Sequence, residues 1–559
     1  MGGSSSAADL VFVNGAVYTV DAARSWAQAV AIRGGRIAAV GSDAAIRPLI
    51  DGHTDVIDLA GRMLLPGFQD AHVHPVYAGI DMLQCDLHDL VTKDDYLRAI
   101  EGYAAANPDA PWILGGGWSM EVFPRGCPPK EDLDAILPDR PVFLPNRDGH
   151  SAWVNSAALR VAGITRDTQD PADGRIERDD AGQPFGTLHE GAQRFMTDLI
   201  PPSTPDELYR GLLKGQEYLH ALGITGWQDA IVQAEGGTYG DSMSAYLTAA
   251  EKGELTARVV GALWWDRLRG LEQIDELVAL RERGAAGRFA ATSVKIMQDG
   301  VCENFTGAVL EPYLGADGTP TDNRGISFVP PEILNEAVIR LDARGFQVHF
   351  HALAERAVRE ALDAVEAARR ANGMTDTRPH LAHIQVVHPD DLPRFRQLGA
   401  IPNAQPLWAA HEVQMDELTI PFLGEPRWTW QYPFASLVRH GASLAMGSDW
   451  SVSSPDPLEE IHVAVNRVMP PSYPYDADRT RVFLPDERLD LATAIAGFTI
   501  GSAYVNHLDG ETGTIETGKR ADLAVLDRNL FAHPQEEIAS ARCVMTFVEG
   551  EAVSSAPDA

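Results

Sequence analysis

Two histidines two residues apart, in Asp70-Ala71-His72-Val73-His74, are the first residues able to do chemistry. On a strand, residues i and i+2 share a face, so His72 and His74 form a chelating pair of imidazoles. Two such histidines alone would fit an ordinary structural pair equally well. Further polar residues close apolar runs downstream: Lys295 ends ATSVK, His351 ends FQVHFH, His383 lies in HLAHIQ and Asp449 closes SLAMGSD. Charged groups at buried strand ends are costly unless paired or coordinated, and chance is a poor account of six of them. The chemistry this set suits is hydrolysis on one or two divalent ions, zinc or similar. Such an ion lowers the pKa of bound water from about 15.7 to about 7. Asp449 would take the water's proton and return it to a leaving nitrogen, base first and acid second. It shares a strand face with the small residues Ala445 and Gly447, which leave room for that approach. His349, one step deeper than His351, reads as an interior side chain and not a ligand.

The elements that must position these residues alternate between apolar strands and helical patterns. Candidate strands are 66–74, 222–229, 257–265, 291–298, 346–351, 379–385, 399–405 and 443–449. After His351, the residues Val358, Ala361, Leu362, Val365 and Ala368 recur at helical spacing. Strand–helix alternation implies a parallel sheet, and eight strands imply an α/β fold of the (β/α)8 TIM barrel type, with chemistry at the C-terminal strand ends. No Gly-rich phosphate loop follows a strand, which weakens a dinucleotide-binding alternative. The barrel spans 63–509. Residues 80–215 are too long for one crossover helix and read as an insertion over the barrel mouth. Short strands and Gly turns at 9–62 and 510–553 imply one small β-sandwich built from both ends of the chain.

With a formal charge of −33 and a pI near 4.8, the chain is a poor partner for nucleic acid or anionic membranes. Its four cysteines lie far apart with no CxxC pair, which argues for a reducing, cytoplasmic setting. No apolar run reaches membrane-spanning length. The opening residues 1–6 read as a Gly/Ser linker. The expected partner is a small-molecule substrate, and a homodimer is compatible with the sequence. Trp118, Met120, Phe123, Trp153, Phe185, Trp408, Trp428 and Trp430 are candidate pocket residues, although large aromatics fill cores as often. His53, His88, His220, His440, His507 and His533 read as surface or structural.

The ordered set resembles the metal-dependent amidohydrolase superfamily, and more narrowly the subgroup of N-substituted formamide deformylases and YtcJ-like amidohydrolases. The telling stretches are LPGFQDAHVHP, DGHSAWVNSAALRVAGI (148–164), VKIMQDG, GSDWSVSSPDPL and the tail TIGSAYVNHLDGETGTIETGKRADLAVLD. The resemblance runs from about residue 9 to about 550. It implies His72, His74, a carboxylated Lys295, His351, His383 and Asp449 as the metal ligands. It singles out His150, Trp153 and Asn155 as substrate-binding candidates, beside Trp118 from the aromatic set above. The activity implied is hydrolysis of an amide or formamide on an apolar amine. The runner-up is a cyclic amide, carbamate, urea or ester on the same site. A non-catalytic metal-binding regulator is a third reading, against which the complete ligand set and Asp449 stand.

Overall fold

Eight parallel strands form the core of the computed structural model, which describes residues 7–237, 240–475 and 477–557. The opening Gly/Ser run lies outside them. In sheet order the strands are Phe68–Val73, Ile224–Val232, Arg258–Trp264, Phe289–Met297, Gln347–Ala352, His380–His383, Ile401–Ala404 and Ala445–Met446. They are numbered one to eight below. Burial on both faces explains their near-continuous apolar character. Strand eight returns to strand one through the backbone: Asp449 N–H donates to the His72 carbonyl at 2.8 Å, and His74 N–H to the Trp450 carbonyl at 2.9 Å. The molecule is a TIM barrel with a separate β domain.

Helices pack outside the barrel for readable reasons. Glu355–Asn372 buries Val358, Ala361, Leu362, Val365 and Ala368 along one stripe and stops at Gly373, which has φ +81°. Pro205–Ala221 starts with a capping box between Thr204 and Glu207 and serves as the first barrel helix, against Pro75–Asp81.

The β domain interleaves both ends of the chain. Arg36–Gly41, Ala29–Arg33, Leu10–Val13 and Asp55–Asp58 form one sheet. The second sheet runs Glu551–Ser555, Cys543–Val548, Leu523–Leu526, Met63–Pro66, Ala16–Tyr18 and Trp26–Ala27. Met63–Pro66, placed by the sequence on the barrel side of the boundary, is thus a central strand here, paired antiparallel with Leu523–Leu526. Phe12, Ile32, Leu64, Leu523, Val525 and Phe547 fill the space between the sheets. Arg258 of barrel strand three reaches buried Asp522 at 2.7 Å and Glu549 at 2.9 Å, clasping the barrel to this domain.

Between strand one and Pro205–Ala221 lies a six-stranded sheet of its own, from Gly174–Arg178 through Pro184–Glu190, Ser151–Val154, Val142–Pro145 and Ile113–Gly116 to Cys85–Asp86. Tyr96, Trp118, Phe123 and Trp153 pack a separate core within it. Among the described residues no helix is long and apolar enough to cross a membrane.

Candidate metal centre

All six expected ligands meet at the C-terminal mouth of the barrel. Asp449 Oδ1 lies 2.9 Å from His74 Nε2 and 3.1 Å from His72 Nε2, and its other oxygen lies 3.8 Å from His383 Nδ1. Lys295 Nζ is 3.3 Å from His72 Nε2. The His351 ring packs edge-on against His383 with centroids 4.5 Å apart. His72, His383 and Asp449 offer ligand atoms all within 4.8 Å of one another. His383 and Asp449 sit at left-handed φ values of +77° and +58° just where strands six and eight end. Such backbone costs on the order of 1–3 kcal/mol each, and here it turns both side chains across the mouth.

The donor set fits a divalent ion. Both ring nitrogens of His383, and Nδ1 of His74 and of His351, are buried without a hydrogen-bond partner among the described residues. Each such atom costs about 1–3 kcal/mol unless something satisfies it, and a cation beside imidazoles and a carboxylate does so. Burial holds His72 neutral, its pKa pulled down to about 3 with Lys295 adding to the fall. His351 and His383 are pushed well below the usual histidine range by burial and by neighbouring histidines. Burial pulls Lys295 down to about 7, against the opposing pull of Asp449 and Asp229. Burial alone would raise Asp449, but the attraction of His72, His74 and His383 outweighs it and holds the carboxylate well below its usual range.

Beneath the six expected ligands lies a polar layer. His349 Nε2 meets His72 Nδ1 at 2.8 Å, His380 Nε2 meets Gln228 Oε1 at 2.9 Å, and Gln228 donates to Gln347 and Asn506. Asn403 donates to the Ala71 carbonyl at 2.9 Å. These residues come from separate strands, so no local pattern announces them. His349 is an interior side chain, as expected, and one that orients a ligand. Replacing His349 by Leu should weaken metal affinity about 10–100-fold, read by titration against a competing chelator. Unchanged affinity would make the His349–His72 contact incidental.

Asp70 binds strand eight to strand one, accepting from His72 N–H at 2.9 Å and Ser448 Oγ–H at 2.6 Å. Gly447 is required there, because a Cβ would stand 2.5 Å from the His72 nitrogen. Its small size therefore serves the close approach of two strands, which in turn delivers Asp449 to His72. Asp299 accepts from the Leu353 and Ala354 N–H groups at 3.0 Å and fixes the turn after strand five.

Above the centre is a cleft of about 400 Å3, walled by Leu407, Trp408, Met415, Tyr432, Trp450 and Tyr473, with Asp86, Asp89 and Glu459 also on its lining. Trp408 stacks on His383 at 5.3 Å, and Met120 also lines the cleft. His88, read from sequence as surface or structural, lines it as well, held to Asp86 at 2.7 Å. The insertion brings His150 beside His351, ring centroids 5.3 Å apart, and Glu190 holds His150 Nδ1 at 2.8 Å. Sequence reasoning missed Glu190, whose positive φ of +50° is its only unusual mark.

Three substrate-binding candidates are corrected by the structure. Trp118 and Trp153 are fully buried in the insertion core, their indole N–H groups donating to the carbonyls of Leu144 and Pro129. Asn155 caps Ser156–Val161 and bonds the carbonyls of Leu137 and Arg140. None of the three lines the cleft. A domain of this size needs its own apolar core, and those aromatics supply it. Replacing Trp153 by Ala should cost about 3–5 kcal/mol in unfolding while leaving the KM of folded enzyme near normal. A raised KM at unchanged stability would restore the substrate role.

Residues 55–554 match the model of the amidohydrolase family. The chain is 31% identical to Protein LONG AFTER FAR-RED 3 of Arabidopsis thaliana, over 97% of this chain and 91% of that one. It is 29% identical to the N-substituted formamide deformylase of Arthrobacter pascens, over 97% of each. An uncharacterized metal-dependent hydrolase from Pyrococcus furiosus superposes with a TM-score of 0.69 at 25% identity, over 93% of this chain and 99% of that one. The family match takes in every residue of the His–Lys–Asp cluster, and the chain belongs to the amidohydrolase family of metal-dependent hydrolases.

Proposed function

We propose that the chain hydrolyses the carbon–nitrogen bond of an amide or formamide-type substrate with an apolar N-substituent. The observation that carries this reading is the ionised Asp449 carboxylate set against His72 and His74 beneath the cleft. His72, His74, His351, His383, Lys295 and Asp449 would hold one or two divalent ions, zinc suiting an imidazole-rich set. Bound there, such an ion supplies Lewis acidity that polarises a carbonyl and makes water easier to deprotonate near neutral pH. Asp449 accepts the proton of the attacking water and passes it to the departing nitrogen, leaving a carboxylic acid and an amine. Lys295, with its pKa near 7, is uncharged often enough at neutral pH to take up carbon dioxide as a carbamate, the bridging form the family resemblance implies. His150, held by Glu190 and lying against His351, would approach the substrate from the insertion side.

The similarity to the Arthrobacter pascens deformylase over nearly all of both chains supports this substrate class. Trp408, Trp450, Leu407 and Met415 suit an apolar substituent, and the carboxylates on the lining disfavour an anionic one. The test is release of free amine by zinc-loaded protein from N-formyl and N-acyl amines, with cyclic amides, carbamates, ureas and esters in parallel. The highest kcat/KM on an N-formyl apolar amine is expected. Preference for a cyclic amide, carbamate, urea or ester would replace this substrate class, and no cleavage of any C–N bond would overturn the reading.

A further inference from the structure

Outside the barrel, three residues that bind metals in other proteins converge in the insertion. His189 Nε2 lies 3.2 Å from Glu177 Oε1 and 3.9 Å from Cys127 Sγ, and the three ligand atoms are all within 4.8 Å of one another. On a tetrahedral zinc ion, sulfur and nitrogen ligands stand about 3.5 Å apart, given bonds of about 2.3 and 2.0–2.1 Å. The sulfur–nitrogen distance here, 3.9 Å, is a few tenths of an ångström longer, within reach of a small side-chain shift. We propose that Cys127, Glu177 and His189 form a second divalent-metal site, suited to zinc, that cross-links the insertion internally.

Four independent features favour an ion over a simple hydrogen-bonded pair. His189 Nδ1 is engaged by Ser151 Oγ at 2.7 Å, which orients the ring and leaves Nε2 facing its two neighbours. Glu177 falls where the register between Gly174–Arg178 and Pro184–Glu190 slips between Ile176 and Arg178, and such bulges re-aim side chains. A separate cavity of about 120 Å3 is lined by all three residues, room for an ion and a water to complete four ligands. The same cavity is walled by Glu303, Asn304 and Phe305 of the loop after barrel strand four, which shelter an ion there from solvent.

Charge balance is favourable as well. A thiolate and a carboxylate neutralise a divalent ion; Arg175, which now donates to Glu177 Oε1 at 2.8 Å, and Arg125 also line the cavity, so an ion must displace the Arg175 contact from that oxygen. Burial pushes the Cys127 thiol up to about 12, so binding would release its proton and the metal-free thiol is unreactive.

Cobalt distinguishes this site from the barrel, whose ligand set contains no sulfur. Metal-stripped full-length protein reloaded with cobalt(II) should show a near-ultraviolet thiolate-to-cobalt charge-transfer band. That band should vanish in both Cys127→Ser and His189→Gln, while each folded variant keeps near-normal turnover. Elemental analysis of zinc-loaded protein should find about one equivalent less in each variant than in the wild type. If one variant fails to fold, the wild-type spectrum and the other variant still decide the matter. A wild type with no such band, a band that persists in a folded variant, or equal zinc content would overturn the proposal.

Discussion

Replacing Asp449 by Asn should lower kcat by about 10²–10⁴-fold or more, the usual worth of positioned proton transfer. The substitution keeps the size of the side chain and removes its basicity. His72, His74 and His383 hold this carboxylate ionised, so the wild-type group is a ready proton acceptor at neutral pH. Metal content should fall far less than in His72→Ala or His74→Ala, because the imidazoles remain. A carboxylate that merely braced the turn from Asp449 to Val452, whose backbone bond is 2.7 Å long, would behave differently. It would lower the melting temperature and leave turnover per folded molecule intact. Measuring kcat, metal stoichiometry and Tm on one preparation separates the two roles. Normal kcat in folded Asn variant would end the assignment.

Stripping the protein with a chelator should abolish turnover, a loss on the order of 10³-fold or more if the ion contributes several kcal/mol to the barrier. Activity should return on adding zinc or a similar ion. The buried, partnerless nitrogens of His383, His74 and His351 give the prediction its structural basis. They should make the stripped protein less stable too, since a ligand that binds only the folded state stabilises it by mass action. Protein shown to be metal-free yet turning over at the native rate would refute a metal-dependent reaction.

The barrel was legible because its strands end in residues that are expensive to bury. His72, Lys295, His351, His383 and Asp449 marked five strand ends, and their alternation with helical stripes such as Val358 to Ala368 gave the rest. Strand eight was legible as a run but spans only Ala445–Met446; Gly447 still donates to the Ala404 carbonyl at 3.0 Å, and its lack of a Cβ lets the backbone of strand one come close. The insertion was harder. Trp118 and Trp153 looked like a substrate wall because composition alone does not separate a second core from a cleft. His150 stood in a stretch with family character, whereas Glu190, which holds it, did not. Gln228, His380 and Asn403 gain meaning only when separate strands place them in one layer. Such long-range convergence leaves no periodic trace.

The interleaving of the two ends in one sheet has a consequence for how the molecule is made. Met63–Pro66 leads directly into the strand that carries His72, yet one of its two sheet neighbours, Leu523–Leu526, is synthesised only after the whole barrel between them. At about 5–20 residues per second, the ribosome needs on the order of a minute to cover the stretch between them. Throughout that time the apolar edge of Leu64 and Leu65 has no strand beside it on that side, the kind of edge that invites pairing with other nascent chains. Completion of this sheet therefore waits until synthesis has passed Leu526, long after the barrel strands between its two halves have been made.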